Sequence, residues 1–131
     1  MRLYLVRHAE AAPGEPDALR PLTPEGRRQA SRLAERLAEA DLRPAAVLCS
    51  PLLRARETAE VLARPLALEP EADERLAPGA TAEDVRAAVA GRGGTVVVVG
   101  HQPDCGRIAA DLTGGAEPAF PPAGVFEIEL R

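Results

Sequence analysis

The segment that most constrains the fold is Thr95–Gly100, written TVVVVG. Its β-branched side chains would point to both faces of a sheet, and a strand that is apolar on both faces is typical of a parallel sheet covered by helices. Two further short apolar runs, Leu3–Val6 and Ala45–Cys49, are predicted as buried strands as well. Val125–Leu130 instead alternates apolar and polar residues, which predicts a final strand with one wetter face.

Four predicted helices alternate with these strands. Their start and stop signals are Thr23-Pro24 as N-cap and first helical position, Ser50-Pro51 in the same two roles, the capping box Thr81–Asp84, and Gly114-Gly115 at the end of the last helix. Residues 66–69 are predicted as a short strand and residues 71–79 as irregular. This alternation indicates an α/β fold, a three-layer α/β/α sandwich with a mostly parallel central sheet and helices on both faces. We expect residues 1–131 to form one domain, because the chain is long enough for one core and too short for two ordinary ones.

Composition and charge narrow the expected partners. All 16 basic residues are arginine, and the net charge is −4. A general nucleic-acid binder needs a basic face, so any anion site here should be a local pocket of arginines. No apolar stretch has the length of a signal peptide or a membrane span, and we expect a cytoplasmic protein that binds neither nucleic acid nor membrane. Cys49 and Cys105 are interpreted as inert buried thiols, with a redox role as the less favoured alternative.

Both histidines of the chain directly follow predicted strands. Arg7-His8 follow the first strand, Ser50 and then Arg54 follow the second, and His101-Gln102 follow TVVVVG. Right-handed crossovers bring the carboxyl ends of these strands to one edge of the sheet, which is where open α/β folds bind ligands. Taken alone, Arg7-His8 fits an ordinary polar strand end equally well, but the convergence of three junctions favours a shared anion site.

The residue types at this edge suit a phosphoryl group. The guanidiniums of Arg7 and Arg54 can hold its oxygens, and backbone amides near Ser50 and at Gln102 can add to the cradle, although the Gln102 side chain fits a helix cap equally well. An imidazole between cationic groups stays neutral and can attack phosphorus, whereas a second, protonated imidazole would stabilise the transferred charge. The sequence contains no GxxxxGK[ST] nucleotide loop and no common metal-ligand spacing. We therefore expect phosphoryl transfer through a phosphohistidine, with no metal and no cofactor.

Four motifs, in order along the chain, resemble those of the histidine phosphatase superfamily, the phosphoglycerate mutase-like group with an RHG signature. They are Arg7-His8-Ala9-Glu10, Leu22-Thr23-Pro24-Glu25-Gly26, Ser50-Pro51-Leu52-Leu53-Arg54-Ala55 with Thr58-Ala59, and Val99-Gly100-His101. The resemblance implies that His8 is the phosphorylated nucleophile and that Arg7, Arg54 and His101 complete the phosphate pocket. In size and in the segments RPLTPEG and SPLLRA, the chain is most similar to the short SixA-like phosphohistidine phosphatases.

Two departures from the family pattern bear on the reaction. Ala9 replaces the usual glycine, a change that we expect to be tolerated, and the segment expected to carry a general acid is short, with Asp73 and Glu74 as its candidates. A phosphate ester needs a proton for its leaving alkoxide, whereas phosphohistidine has a weaker P–N bond and should depend less on an enzyme acid. Arg20 is a candidate substrate contact, with a structural role in its loop as an equal alternative.

These features favour a phosphatase that removes phosphate from phosphohistidine on a protein. The alternatives are a phosphatase of a small phosphate ester, a mutase as a less favoured variant of it, and a weakly active phosphate-binding adaptor. The connections between the motifs are short and leave little chain for a lid. An open pocket of that kind suits a phosphate that is displayed on a protein surface.

Overall fold

The computed structural model describes residues 1–131. The strands are β1 (Arg2–Arg7), β2 (Ala46–Cys49), β3 (Glu71–Ala72), β4 (Thr95–Gly100) and β5 (Val125–Glu129). The helices are α1 (Pro24–Glu39), α2 (Leu53–Ala63), α3 (Ala82–Val89) and α4 (Asp104–Thr113), with short 3-10 helices at Asp17–Leu19, Arg64–Leu66 and Glu74–Leu76. None of these helices combines the length and the apolar character that crossing a bilayer requires.

The five strands form one sheet in the order β3-β2-β4-β1-β5. Strand β5 is antiparallel to β1, and all other neighbours are parallel. The register pairs Arg7 with Gly100. Beyond the strands, His8 N donates to the carbonyl of Gly100 at 3.0 Å, and Ser50 N donates to the carbonyl of Val99 at 3.0 Å. The segments after β1, β2 and β4 therefore leave the sheet at the same edge with their backbones fixed.

Helices cover both faces of the sheet, and β4 shows why. Val96 and Val98 belong to the apolar cluster that contains α3 and α4, whereas Val97 and Val99 belong to the cluster that contains α1 and α2. These four valines are at most 1% exposed. Burying a valine side chain contributes about 1.5–3 kcal/mol to the free energy of folding. A strand with valines on both faces is therefore most stable at the centre of the sheet, where helices cover both faces. The predicted three-layer α/β/α sandwich is confirmed.

The predicted signals for α1, α3 and α4 are confirmed. The side chain of Thr23 accepts from Gly26 N at 2.9 Å, as an N-cap should. The capping box of Thr81 and Asp84 is present in full. Helix α4 ends at Gly114, whose φ of 76° lies in the left-handed region that glycine adopts without strain.

The predicted start of α2 is wrong. The helix begins at Leu53, and neither Ser50 nor Pro51 takes the expected role of N-cap or first helical residue. The Ser50 hydroxyl accepts from Leu52 N at 3.2 Å in a bend that precedes the helix, and it also pairs with His101 at 2.7 Å. Because this tertiary contact occupies the serine, the helix starts two residues later than predicted, without a side-chain cap.

The edge strand of the sheet also lies elsewhere than predicted. Residues 66–69 are not a strand, because Leu66 ends a 3-10 helix and Ala67 turns the chain with a φ of 57°. Strand β3 is Glu71–Ala72, inside the segment predicted as irregular, where it pairs with Leu48 and Cys49 of β2. The turn at Ala67 delays the approach of the chain to β2 until Glu71.

The start of α1 packs against the segment that follows β1. Thr23 N donates to the carbonyl of Glu10 at 3.0 Å, and Glu10 N donates to Gln29 Oε1 at 2.9 Å. A Cβ atom at Gly26 would overlap the carbonyl oxygen of Glu10. The glycine of the TPEG motif therefore permits the close approach that holds the chain beyond His8 in place.

Candidate active site

A cavity of about 250 Å³ opens at the carboxyl edge of β1 and β4. Its lining residues are Arg7, His8, Arg20, Arg54, Pro78, His101 and Gln102. The structure thus brings together at one place all the residues predicted to bind or attack phosphate, and it adds Pro78. Three guanidiniums line this small cavity, so positive charge is concentrated there although the chain as a whole carries a net charge of −4.

His8 follows β1, and the backbone carbonyl of the next residue holds its ring in place. Nδ1 lies 2.7 Å from the carbonyl oxygen of Ala9. A carbonyl oxygen only accepts, so Nδ1 carries the proton and Nε2 keeps its lone pair. Burial lowers the pKa of His8 to about 4, and the nearby positive charges of Arg54, Arg7 and Arg20 act in the same direction. At neutral pH this imidazole is therefore uncharged, and its free Nε2 can act as a nucleophile.

Thr58 of α2 fixes the backbone beside His8. Its Oγ1 accepts from Ala9 N at 3.0 Å and donates to the carbonyl of Arg54 at 2.8 Å. The Thr58 side chain is fully buried. The threonine of the motif SPLLRA…TA therefore links the nucleophile segment to the helix that carries Arg54.

Asp17 holds two of the arginines that line the cavity. Arg54 Nη1 donates to the Asp17 carbonyl at 2.8 Å and Nη2 to its carboxylate at 3.1 Å. Arg20 Nη1 donates to the same carboxylate at 3.0 Å, and its Nε donates to the carbonyl of Ala12 at 2.7 Å. Arg20 thus lines the cavity and also braces its loop. The hydrogen bonds from Arg20 and Arg54 lower the pKa of Asp17, which is therefore ionised.

Asp17 is a site residue that sequence reasoning missed. It lies in a loop rich in proline and glycine, and its only local signal is the spacing of three residues to Arg20. That spacing is common in solvent-exposed ion pairs and does not by itself indicate a site. The contact with Arg54 spans 37 positions of the chain and depends on the tertiary fold.

His101 follows β4 and lies across the cavity from His8. The two ring centroids are 5.2 Å apart, with an angle of 62° between the ring planes. Nε2 of His101 lies 2.7 Å from Ser50 Oγ. Burial lowers the pKa of His101 to about 4, and repulsion from Arg54, and from His8 when that ring is protonated, acts in the same direction. The sequence predicts a protonated second imidazole, but burial beside the arginines favours the neutral form of both rings at pH 7.

Two buried side-chain nitrogens have no hydrogen-bond partner in the protein, and both belong to residues that line this cavity. They are Arg7 Nε and His101 Nδ1. Arg7 is otherwise anchored, since its Nη1 donates to the carbonyl of Phe120 at 2.9 Å. Buried polar atoms in native proteins nearly always have partners. Nitrogens of this kind around a cationic cavity are suited to an oxyanion, which accepts hydrogen bonds from several directions.

The remaining candidates fall into two groups. Gln102 lines the cavity, and its Oε1 accepts from Gly106 N at 2.9 Å, so its side chain caps α4. Asp73 and Glu74 do not line the cavity. Asp73 is bound by Arg75, whose hydrogen bonds lower the pKa of the carboxyl, and Glu74 is exposed at the start of a 3-10 helix. The structure therefore does not bring either carboxylate to the cavity.

The two cysteines are buried and unpaired with each other. Burial raises the pKa of Cys49 to about 11 and that of Cys105 to about 12. Thiols of such high pKa remain protonated at neutral pH and react slowly. These environments fit the interpretation of both residues as packing groups.

The fold and the cavity agree with the comparison with known families. The branch 1 model of the histidine phosphatase superfamily matches residues 3–78, and the chain belongs to this superfamily. Membership was predicted from the four motifs and is confirmed. The chain is a phosphatase.

Individual relatives define the likeness further. An uncharacterized protein of Picosynechococcus sp. is 39% identical over 123 residues, which cover 88% of this chain and 74% of that protein. The structure of the protein histidine phosphatase SixA complexed with tungstate is similar with a TM-score of 0.90 and 28% identity, covering 99% of this chain and 88% of that one. A mycobacterial glucosyl-3-phosphoglycerate phosphatase has a TM-score of 0.74 at 21% identity over 96% of this chain and 88% of its own, a likeness of fold alone. The structure is therefore SixA-like.

Proposed function

We propose that this phosphatase removes the phosphoryl group from phosphohistidine on a protein, through a covalent phosphohistidine intermediate at His8 and without a metal. The observation that carries the proposal is a neutral imidazole with a free Nε2 in one cationic cavity, together with buried side-chain nitrogens of the lining residues that have no partner in the protein. A nucleophile and donors for the transferred oxygens are the two elements that phosphoryl transfer requires. Support also comes from the SixA-like fold, since SixA itself was solved with tungstate, a tetrahedral oxyanion like phosphate.

In the first step, Nε2 of His8 attacks phosphorus and forms a P–N bond. The bond between phosphorus and the substrate imidazole breaks, and its electron pair stays on that nitrogen, which takes a proton from water. Arg7 and Arg54 bind the phosphoryl oxygens, and His101 donates from Nδ1. The Nδ1–H···O=C bond from His8 to Ala9 stabilises the positive charge that the ring acquires as Nε2 bonds to phosphorus.

In the second step, water attacks the phosphorus of phosphorylated His8. The P–Nε2 bond breaks, its electron pair returns to Nε2, and the attacking water loses a proton to solvent. Inorganic phosphate leaves, and His8 is again neutral. The sum of both steps is hydrolysis of one P–N bond by one water molecule.

The carboxylates near the cavity favour phosphohistidine over a phosphate ester. An alkoxide leaving group needs a proton donor, which is a carboxylic acid of raised pKa in many enzymes. Asp17 is the carboxylate bound to the cavity arginines, and its pKa is lowered by Arg20 and Arg54. An ionised carboxylate cannot donate a proton. An imidazole is a less basic leaving group than an alkoxide and departs from a weaker P–N bond, so it depends less on a proton from an enzyme acid.

The surface beside the cavity favours a protein as the substrate. Leu19 is 62% exposed, and it is the one large hydrophobic side chain of the chain that is strongly exposed. It lies between Asp17, which is bound to Arg54, and Arg20, which lines the cavity. An apolar side chain on this braced turn can pack against the surface that carries the phosphohistidine, a contact that a small phosphate ester would not use.

The proposal is tested with two substrates and two variants. A phosphohistidine-bearing phosphotransfer domain should be dephosphorylated with a much higher kcat/KM than p-nitrophenyl phosphate. His8→Ala should abolish both activities, while the matched control Arg32→Ala, on the exposed face of α1, should retain them. Rapid quenching should trap phosphate that is acid-labile on the wild type and absent from His8→Ala. Equal or higher kcat/KM for p-nitrophenyl phosphate would point to a small-ester phosphatase, and unchanged turnover by His8→Ala would exclude the covalent mechanism.

A further inference from the structure

The partner of His101 determines which of its two nitrogens carries the proton. Ser50 is 0% exposed, and its Oγ lies 2.7 Å from His101 Nε2. A hydroxyl offers one hydrogen and two lone pairs. Leu52 N donates to one lone pair at 3.2 Å, and Oγ makes no other hydrogen bond besides the contact with His101. The serine hydrogen therefore has a single acceptor within reach, which is Nε2.

The opposite proton arrangement is unfavourable on both sides of the ring. If Nε2 carried the proton and donated to Ser50, the serine hydrogen would be buried without an acceptor. Nδ1 would then carry a lone pair, and a lone pair on this lining residue would repel the oxygens of a phosphoryl group bound beside it. With the proton on Nδ1, the Ser50 hydroxyl and Nε2 of His101 both have hydrogen-bond partners. Only Nδ1 then has none, and it is one of the buried nitrogens without a partner in the protein.

We infer that Ser50 is a positioning residue that holds neutral His101 in the Nδ1–H tautomer, so that Nδ1–H donates to the transferring phosphoryl group. The catalytic part of this inference rests on the proposed function, whereas the tautomer is a property of the free protein. Ser50 touches neither the nucleophile nor the reacting atoms in this assignment. It acts only through the ring of His101.

The first test reads the tautomer directly. The chain contains only two histidines, so a long-range ¹H–¹⁵N correlation spectrum of the full chain near neutral pH shows two imidazoles. His8→Asn removes one set of signals and assigns them. Wild type should show Nδ1 protonated in both rings, because His8 donates to Ala9 O and His101 accepts from Ser50. A proton on Nε2 of His101 in the wild-type spectrum would overturn the inference.

The second test removes the hydroxyl. Ser50→Ala should convert His101 to a mixture of tautomers and leave the signals of His8 unchanged, while Ser50→Thr should keep the wild-type tautomer. Ser50→Ala should also lower kcat/KM for p-nitrophenyl phosphate by about 10- to 100-fold, the range known for partners that orient metal-bound histidines, and Ser50→Thr should restore it. An unchanged tautomer, or a changed tautomer with unchanged kcat/KM, would overturn the role of Ser50.

The outcomes separate this inference from the proposed function. A merely structural role of Ser50 predicts lower thermal stability of Ser50→Ala with the His101 tautomer of wild type. A wild-type protein that hydrolyses neither substrate would refute the proposed function, but its spectrum would still decide the tautomer. If Ser50→Ala does not fold, the wild-type spectrum alone confirms or excludes the Nδ1–H assignment.

Discussion

Acid should destabilise this fold through its two imidazoles before it affects the carboxylates. The pKa of His8 and of His101 is lowered from 6.5 to about 4, mainly because burial disfavours the charged ring. As the pH falls below 6.5, the unfolded chain binds these protons while the folded protein does not, so stability is lost between pH 6.5 and about 4. At about 1.36 kcal/mol for each pKa unit, the full interval corresponds to about 3 kcal/mol for each imidazole. Domains are stable by about 5–15 kcal/mol, so the effect is large.

Urea unfolding followed by circular dichroism, from about pH 7 to about pH 4.5, measures this loss. The carboxyls of Asp17, Asp73 and Glu25 have lowered pKa values, and their unfolded reference values are 3.8 for the two aspartates and 4.5 for Glu25. Their contributions are lost mainly as the pH falls toward and below these values, and Glu25 is a partly exposed surface residue, so the window above about pH 4.5 reports mainly on the imidazoles. We expect the free energy of unfolding to fall by about 2–3 kcal/mol for each histidine in this window.

Two variants serve as controls. His101→Gln should remove about half of the pH dependence, and the double variant His8→Gln/His101→Gln should remove nearly all of it. A wild-type stability that is equal at both ends of the window would refute the assignment of two buried neutral rings. A double variant that keeps the full wild-type pH dependence would refute it as well.

Three further substitutions test the contacts around the cavity. Leu19→Gln should raise KM for a phosphohistidine protein about five- to tenfold and leave the kinetics with p-nitrophenyl phosphate unchanged, because only a protein substrate makes the apolar contact. An equal effect on both substrates would contradict the contact assigned to Leu19. Asp17→Ala removes the carboxylate that binds Arg54 Nη2 and leaves only the backbone carbonyl to hold this guanidinium. It should lower kcat/KM for both substrates about 10- to 100-fold, whereas wild-type kinetics would show that the ion pair does not orient the arginine. Thr58→Val leaves Ala9 N–H buried without an acceptor and should cost about 1–3 kcal/mol in urea unfolding, while Thr58→Ser keeps the bond and should stay near wild type.

Most of the fold follows from local patterns along the chain. The four consecutive valines of β4 place apolar side chains on both faces of the strand, so the amino-acid sequence alone predicts a strand that is covered on both sides. The start of α1 is also predictable from local sequence, because the N-cap hydrogen bond joins Thr23 to Gly26, only three residues further along the chain. By contrast, β3 consists of two exposed residues, Glu71 and Ala72, with no apolar pattern to reveal them. Their strand character comes from pairing with β2, which is a tertiary property.

The site divides in the same way. The handedness of the crossovers was enough to place Arg7, His8 and His101 at one edge of the sheet, and the structure has them around one cavity. The partners of these residues could not be predicted. Ser50 is followed by proline, as an ordinary helix N-cap often is, yet its hydroxyl contacts a histidine 51 positions away. Asp17 begins a three-residue 3-10 helix inside a loop whose path is set by tertiary contacts and not by an apolar periodicity.

The two imidazoles of the cavity share one tautomer and have complementary chemistry. Ala9 O takes the Nδ1 proton of His8 and leaves Nε2 free to attack, whereas Ser50 donates to Nε2 of His101 and leaves Nδ1–H free to donate. Burial and the arginine charges keep both rings neutral at pH 7, because protonation would add positive charge to a desolvated cationic cavity. Protonation of His8 would also consume the lone pair that attacks phosphorus. The guanidiniums therefore supply the positive charge that an oxyanion needs, and the histidines are left to supply the nucleophile and a directed hydrogen bond.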